Sequence, residues 1–199
     1  LTTDYNVFRI SATEIVLEYN NPANEGYAQV YLQPKGMKSS KHTFTRGDFG
    51  LNSAENEEME GHEGPATTKE GFKWYLDVEA GAELFIWKTW GALQVGAGWS
   101  ANADLHVKSI KLHTTDIPGN IKSISVVCAY SDESNQKKAE LYAKVGGENF
   151  GTRKSLKNEM STYTFTDSIS ASGEIELIWD SQEAGISYFI KSVEVIYQD

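Results

Sequence analysis

The sequence predicts an all-β protein, an antiparallel β-sandwich of jelly-roll type. Three observations predict it. Apolar and polar residues alternate with a period of two along most of the chain, as in strands with one face on a core and one in water. Short strand signals recur at intervals of about 8–14 residues, separated by turn residues. No long stretch keeps the 3.6 period of an amphipathic helix with caps.

In chain order, strand signals fall near 6–10, 14–20, 27–33, 42–46, 72–78, 82–88, 92–96, 106–113, 121–130, 139–145, 162–167, 174–180 and 187–197. About eleven true strands are expected among them. The later ones are the clearest. ELYAKV puts Leu141, Ala143 and Val145 on one face and Glu140, Tyr142 and Lys144 on the other. EIELIW sets Ile175, Leu177 and Trp179 against Glu174 and Glu176. IKSISVVCAY aligns Ile124, Val126, Cys128 and Tyr130, and KSVEVIY aligns Val193, Val195 and Tyr197. Turns are marked by Asn21-Pro22, Pro34-Lys35-Gly36, Ala80-Gly81, Pro118-Gly119-Asn120, Gly146-Gly147 and Ser172-Gly173. The best helix candidate is a turn or two within 53–60.

The 199 residues suit a single sandwich domain over 1–199, with a long acidic surface loop near 49–70. Net charge is −10, and Glu55, Glu57, Glu58, Glu60 and Glu63 carry half of it. With only three arginines, the chain lacks the basic footprint of a nucleic-acid or anionic-membrane binder. A lone cysteine, Cys128, rules out an intramolecular disulfide and reads as a small buried apolar residue. No apolar run is long enough to span a bilayer as a helix. The start at Leu1 suits a chain whose leader has been removed.

From about residue 92 the order of elements carries a resemblance. ALQVGAG is followed by SIKLHT, a Pro-Gly turn and NIKSISVVCA, then by a strand ending in Gly146-Gly147, by STYTFTDS and ASGEIELIW, and by a closing YFIKSVEVIY. This half resembles the galactose-binding-like β-sandwich accessory domains of exported proteins and surface lipoproteins from gut Gram-negative anaerobes. The resemblance implies a jelly roll, export to the periplasm, outer-membrane surface or medium, and a role without catalysis. It transfers no functional residues.

Motifs for catalysis are absent. There is no G-x-S-x-G, no phosphate-cradling glycine loop before a helix, and no histidine implied beside Cys128. No pair among the 28 acidic residues stands out as the facing carboxylates of a glycosidase. His42, His62, His106 and His113 show no metal-ligand spacing. His62 could join Glu60 and Glu63 around a cation, although a solvated acidic loop explains them more simply. No cofactor is expected. A structural calcium on carboxylates such as Asp48 or Asp104 is left open, without a D-x-D-x-D-G loop to support it.

Aromatic residues make up 12% of the chain, and indole faces are the natural stacking partners of sugars. By parity Trp74, Trp87 and Trp179 belong to the core. Trp90 follows a strand, and parity does not place it. Trp99 stands in GAGWSANAD among glycines and small polar residues. The expected ligand site is therefore Trp99 and Trp90 as stacking groups with Asn102 and Asp104 as hydrogen-bonding groups. The alternative is that Trp99 folds back over one end of the sandwich. The function expected from the sequence is weak glycan binding by a secreted or cell-surface module. Contact with a cell-surface protein, as an adhesion or scaffolding module, is the alternative; a glycoside hydrolase comes last.

Overall fold

The structure, a computed structural model, describes residues 5–10, 15–19, 36–45, 48–50, 64–78, 84–87, 91–96, 107–131, 138–181 and 186–198. For 5–10, 15–19, 50, 84–87 and 169–170 it describes the backbone alone. The chain forms two compact units, Leu1–Gln33 and Pro34–Asp199. In the first, β1 (Tyr5–Ile10) and β2 (Ile15–Tyr19) pair antiparallel, with a bulge between Val7 and Arg9.

The second unit contains an antiparallel β-sandwich. Its strands are β3 (Met37–Thr43), β4 (Ala66–Thr67), β5 (Lys73–Asp77), β6 (Leu84–Trp87), β7 (Ala92–Val95), β8 (Ser109–Thr114) and β9 (Asn120–Ser131). They continue with β10 (Ala139–Val145), β11 (Glu148–Asn149), β12 (Lys154–Ser155), β13 (Ser161–Ala171), β14 (Ile175–Ser181) and β15 (Ser187–Gln198). One sheet runs β11-β10-β14-β8-β5-β4, with β12 also on β10. The other runs β13-β9-β15-β7-β6, with β3 also on β15. From β8 onward the long strands β8, β9, β10, β13, β14 and β15 alternate between the sheets, which is jelly-roll connectivity.

The core lies where the two inner faces meet. Trp74, Leu76, Ile110, Leu112, Leu141, Ala143, Val145, Ile175, Leu177 and Trp179 come from the first sheet. Leu93, Val95, Ile124, Val126, Cys128, Phe165, Tyr188, Ile190, Val193 and Val195 come from the second. The period-two pattern produces these rows directly, and Trp74 and Trp179 are buried as their parity requires. Burial pushes the Cys128 thiol up to about 12, against a smaller opposing effect of the neighbouring Trp179 indole. That indole N–H has no oxygen or nitrogen acceptor among the described residues, so the thiol is the polar group beside it.

Two bulges reconcile the pattern with the pairing. Tyr188 and Ile190 face the core, yet so do Val193, Val195 and Tyr197. The parity changes because Ile190 pairs with Cys128 while Ser192 pairs with Val127, leaving Lys191 as the extra residue. In the same way Tyr197 pairs with Ile121 and Ile196 with Ser123. Lys122 is then extra, and both Ile121 and Ile124 point inward. Ala92, Ala129 and Phe189, with Met160 packed on them, form a second small cluster. All four residues of β7 are buried.

Gly96 closes β7 at φ +84, and a Cβ there would overlap the Val107 side chain. Gly146 and Gly147 form the β10–β11 turn with φ of +61 and +87, the left-handed pair that a tight hairpin requires. A Cβ on Gly146 would lie 2.6 Å from the carbonyl oxygen of Ser172. The two turns therefore pack backbone to backbone.

The strand expected near 42–46 is displaced. The observed β3 covers Met37–Thr43 and pairs with Gln198–Ser192 of β15. Its sequence, MKSSKHT, has no apolar alternation, so its place is set by pairing with β15. The strand expected near 27–33 and the helical turn expected at 53–60 lie outside the described residues. Of the stretch 49–70, residues 51–63 lie outside them too, while Ala66–Thr67 form β4 against Trp74 and Lys73.

Candidate functional site

The outward faces of four neighbouring strands, β10, β14, β8 and β5, supply the candidate site. Alternation in each strand fixes which side chains point away from the core. These are Glu140, Tyr142 and Lys144; Glu176, Ile178 and Asp180; Ser109, Lys111 and His113; and Lys73, Tyr75 and Asp77. The register then aligns them across the strands. One row reads Tyr142, Ile178, Lys111, Asp77. The next reads Lys144, Glu176, His113, Tyr75. A third begins Glu140, Asp180, Ser109.

The polar groups at the centre hold one another. Lys111 Nζ lies 2.9 Å from Asp77 Oδ2 and 3.7 Å from Glu176 Oε1. His113 Nδ1 lies 2.9 Å from Glu174 Oε1, and its Nε2 lies 3.5 Å from Asp77 Oδ1. Burial works against the Asp77 carboxylate, but the hydrogen bond and charge of Lys111, with His113 beside it, hold its carboxyl below the usual range. In return Asp77 raises the Lys111 ammonium above its ordinary value, against burial. Both partners shift in the direction that keeps the pair charged.

Aromatic rings flank this centre. Tyr75 is 42% exposed, and among the described residues it is the exposed large hydrophobic side chain. Its ring tilts against His113 at 5.8 Å between centroids. On the far side Arg153 sits 4.1 Å above the Tyr142 ring and 3.3 Å from Glu140 Oε2. Tyr142 and Tyr75 belong to strands three spacings apart, about 14 Å. Two depressions open along the face. One, of about 350 Å³, is lined by Asp77, Ser109, Lys111 and Ile178, and the other, of about 480 Å³, by Glu140, Arg153, Ser155 and Asp180.

Such a face offers the Tyr75 ring at one flank, Tyr142 capped by the Arg153 guanidinium at the other, and fixed acceptors and donors between them. Carboxylates accept from ligand hydroxyls and the ammonium donates to them, in positions set before the ligand arrives. Its charges are largely paired internally, so it suits a neutral, hydroxyl-rich ligand better than an ion.

The residues expected from sequence to form a site, Trp90, Trp99, Asn102 and Asp104, all lie outside the described residues. So do His62, Glu60 and Glu63. Asp48, considered for calcium, accepts the Thr45 N–H at 2.6 Å and lies 3.0 Å from His42 Nε2. No group of three or more His, Cys, Asp or Glu among the described residues is placed to hold a metal ion. Sequence reasoning had put Tyr142 and Glu176 on the wet side of their strands. It missed that Lys111, His113, Asp77 and Tyr75 join them, because that depends on strand order.

No protein-family model matches the chain, and no curated protein matches it. Among solved structures it is similar to a family 29 carbohydrate-binding module from Piromyces equi, with 13% identity and a TM-score of 0.45 over 80% of this chain and 90% of that one. It is similar also to a family 61 carbohydrate-binding module in complex with β-1,4-galactotriose, with 11% identity and a TM-score of 0.41 over 63% and 88%. A third likeness is to a family two carbohydrate esterase from Cellvibrio japonicus, with 12% identity and a TM-score of 0.41, covering 81% of this chain and 35% of that one.

Proposed function

We propose that the chain is a non-catalytic carbohydrate-binding module that acts outside the cytoplasm and holds a glycan on the outer face of the β10-β14-β8-β5 sheet. One observation carries this reading: Tyr75 and Tyr142 flank a preorganised row of paired polar groups, Lys111 with Asp77 and Glu176, and His113 with Glu174. A sugar ring stacks on Tyr75, the Arg153 guanidinium over Tyr142 meets hydroxyls at the far flank, and the polar row between them takes the rest. The face is open and shallow, so binding is weak and relies on several sugar units at once.

Trp99 and Trp90, with Asn102 and Asp104, are proposed as a second contact for the same glycan, on the strength of their small polar sequence context. A glycan array followed by calorimetry tests both. The expected result is binding that Tyr75→Ala and Tyr142→Ala weaken and that Trp99→Ala weakens further. Glycan binding unchanged by the two tyrosine substitutions removes the sheet face as the site. Glycan binding unchanged by Trp99→Ala removes the contact proposed for Trp99 and its neighbours. No glycan binding, with capture of a basic partner that is lost when the glutamates of 53–63 become glutamine, favours the adhesion reading.

A further inference from the structure

His113 has a carboxylate at each end of its ring. Nδ1 lies 2.9 Å from Glu174 Oε1, and Nε2 lies 3.5 Å from Asp77 Oδ1. The two acceptors come from the strands on either side of β8. Glu174 immediately precedes β14, and Asp77 ends β5.

A neutral imidazole carries one N–H and one lone pair. It can donate to one of these carboxylates and must present its lone pair to the other. With the proton at the shorter contact, Nδ1–H donates to Glu174 and the Nε2 lone pair meets Asp77 Oδ1. An imidazolium donates at both ends. The ring position therefore satisfies the charged form fully and the neutral form by half.

The other charged groups around the ring have partners of their own. On β14, Glu176 lies opposite His113 in the register and 3.7 Å from Lys111. On β8 itself, Lys111 is held by Asp77 at 2.9 Å. Lys144 of β10 is one strand farther off, opposite Glu176. At the start of β5 the Lys73 backbone N–H donates to Asp116, in the segment after β8, at 2.9 Å.

Tyr75 leans on this imidazole. It lies directly opposite His113 across β5 and β8, and its ring tilts against it at 5.8 Å between centroids. A cation within about 6 Å of a phenol ring is attracted to it. The charged form thus fixes the imidazole at both ends and draws Tyr75 onto it.

Resting on the outer-face reading, we propose that His113 is a positioning residue whose protonation sets the Tyr75 platform, so that the face holds a neutral glycan more tightly in mild acid than at alkaline pH. Both ring nitrogens are spent on carboxylates, so His113 acts on the ligand through Tyr75. Histidine is the side chain that ordinarily changes charge between about pH 5 and 8. Without the second N–H the ring is released from Asp77, and a smaller fraction of molecules holds Tyr75 in place. Apparent affinity falls with that fraction. The contact with Asp77, whose side chain is 58% exposed, adds little to stability; its effect is on the direction of the ring. Linkage runs both ways, so a glycan that prefers the protonated form takes up protons as it binds.

The test reads one array of neutral glycans at about pH 5.5 and about pH 8. The strongest-binding glycan is then followed by calorimetry in two buffers of different ionisation enthalpy. Binding is expected to be roughly threefold tighter or more in acid, with proton uptake between the two pH values. His113→Gln, whose amide donates without titrating, is expected to bind at both as weakly as the native chain does at the alkaline one, without proton uptake. In the free protein the Tyr75 NMR signals are expected to follow the titration of the His113 ring. Equal affinity at both pH values, tighter binding at the alkaline one, or a native pH profile in His113→Gln overturns the proposal and leaves the outer-face reading standing. Tyr75 signals that do not follow His113 overturn it as well. No neutral glycan bound at either pH removes the outer-face reading, and this regulation with it.

Discussion

Tyr75 offers ring surface to solvent, and Tyr142 lies on the same outer face under Arg153; neither belongs to the core, so their roles in binding and folding can be separated. Each alanine substitution should weaken glycan affinity about tenfold, ~1.4 kcal/mol, with the unfolding midpoint nearly unchanged; calorimetry beside thermal melts checks both. The Asp77–Lys111 pair sets a pH window. The Asp77 carboxyl is lowered in the fold, so its contribution is complete above about pH 4 and is lost as pH falls through its depressed folded value. The Lys111 ammonium is raised, so its contribution is complete below about pH 10 and is lost as pH climbs through its raised folded value. The stability difference between the native chain and Asp77→Asn should therefore be flat between these limits and shrink in acid. The difference is small, because the Asp77 side chain is 58% exposed. Cys128 tests the core. With its thiol pushed up to about 12, it should resist a disulfide reagent at pH 8 until denaturant is added. Labelling in the native state would contradict its burial.

At the level of single elements, the sequence was readable wherever one face is buried. ELYAKV, EIELIW and IKSISVV each became a strand with the expected face inward. The two places where parity changes, at Lys122 and Lys191, were not readable, because a bulge is defined by the partner strand. The same holds for β3, whose polar sequence gives no period and which takes its register from β15. The outer face was half legible. Tyr142 and Glu176 could be assigned to the wet side, but no local pattern says that β8 and β5 lie beside them. The turn at Gly146 is a strong local prediction. Gly146→Ala places a Cβ against the Ser172 carbonyl at a left-handed φ, so it should destabilise by about 1–3 kcal/mol. Gly147 has open space around its missing Cβ, so Gly147→Asn should be much milder. Urea unfolding of the two variants separates the clash from the φ penalty.

For the sandwich as a whole, composition and period gave the class, while the alternation of strands between sheets came only from the structure. Its pairings are distant in sequence: Gln198 lies opposite Met37, and Ser192 opposite Thr43. Closing such loops early is entropically unfavourable. Refolding followed by the fluorescence of buried Trp74 and Trp179 is therefore expected in the millisecond-to-second range. A microsecond phase that recovers the full signal would contradict it.

The position of β15 has a further consequence for how the chain is made. This strand joins β9 on one side and both β3 and β7 on the other. Every one of those partners is synthesised before it. A nascent chain that has emerged as far as β14 therefore carries a sheet with its middle strand missing. Its strand edges face water, open to the wrong neighbour. The gap closes when residues 187–198 pair with all three strands.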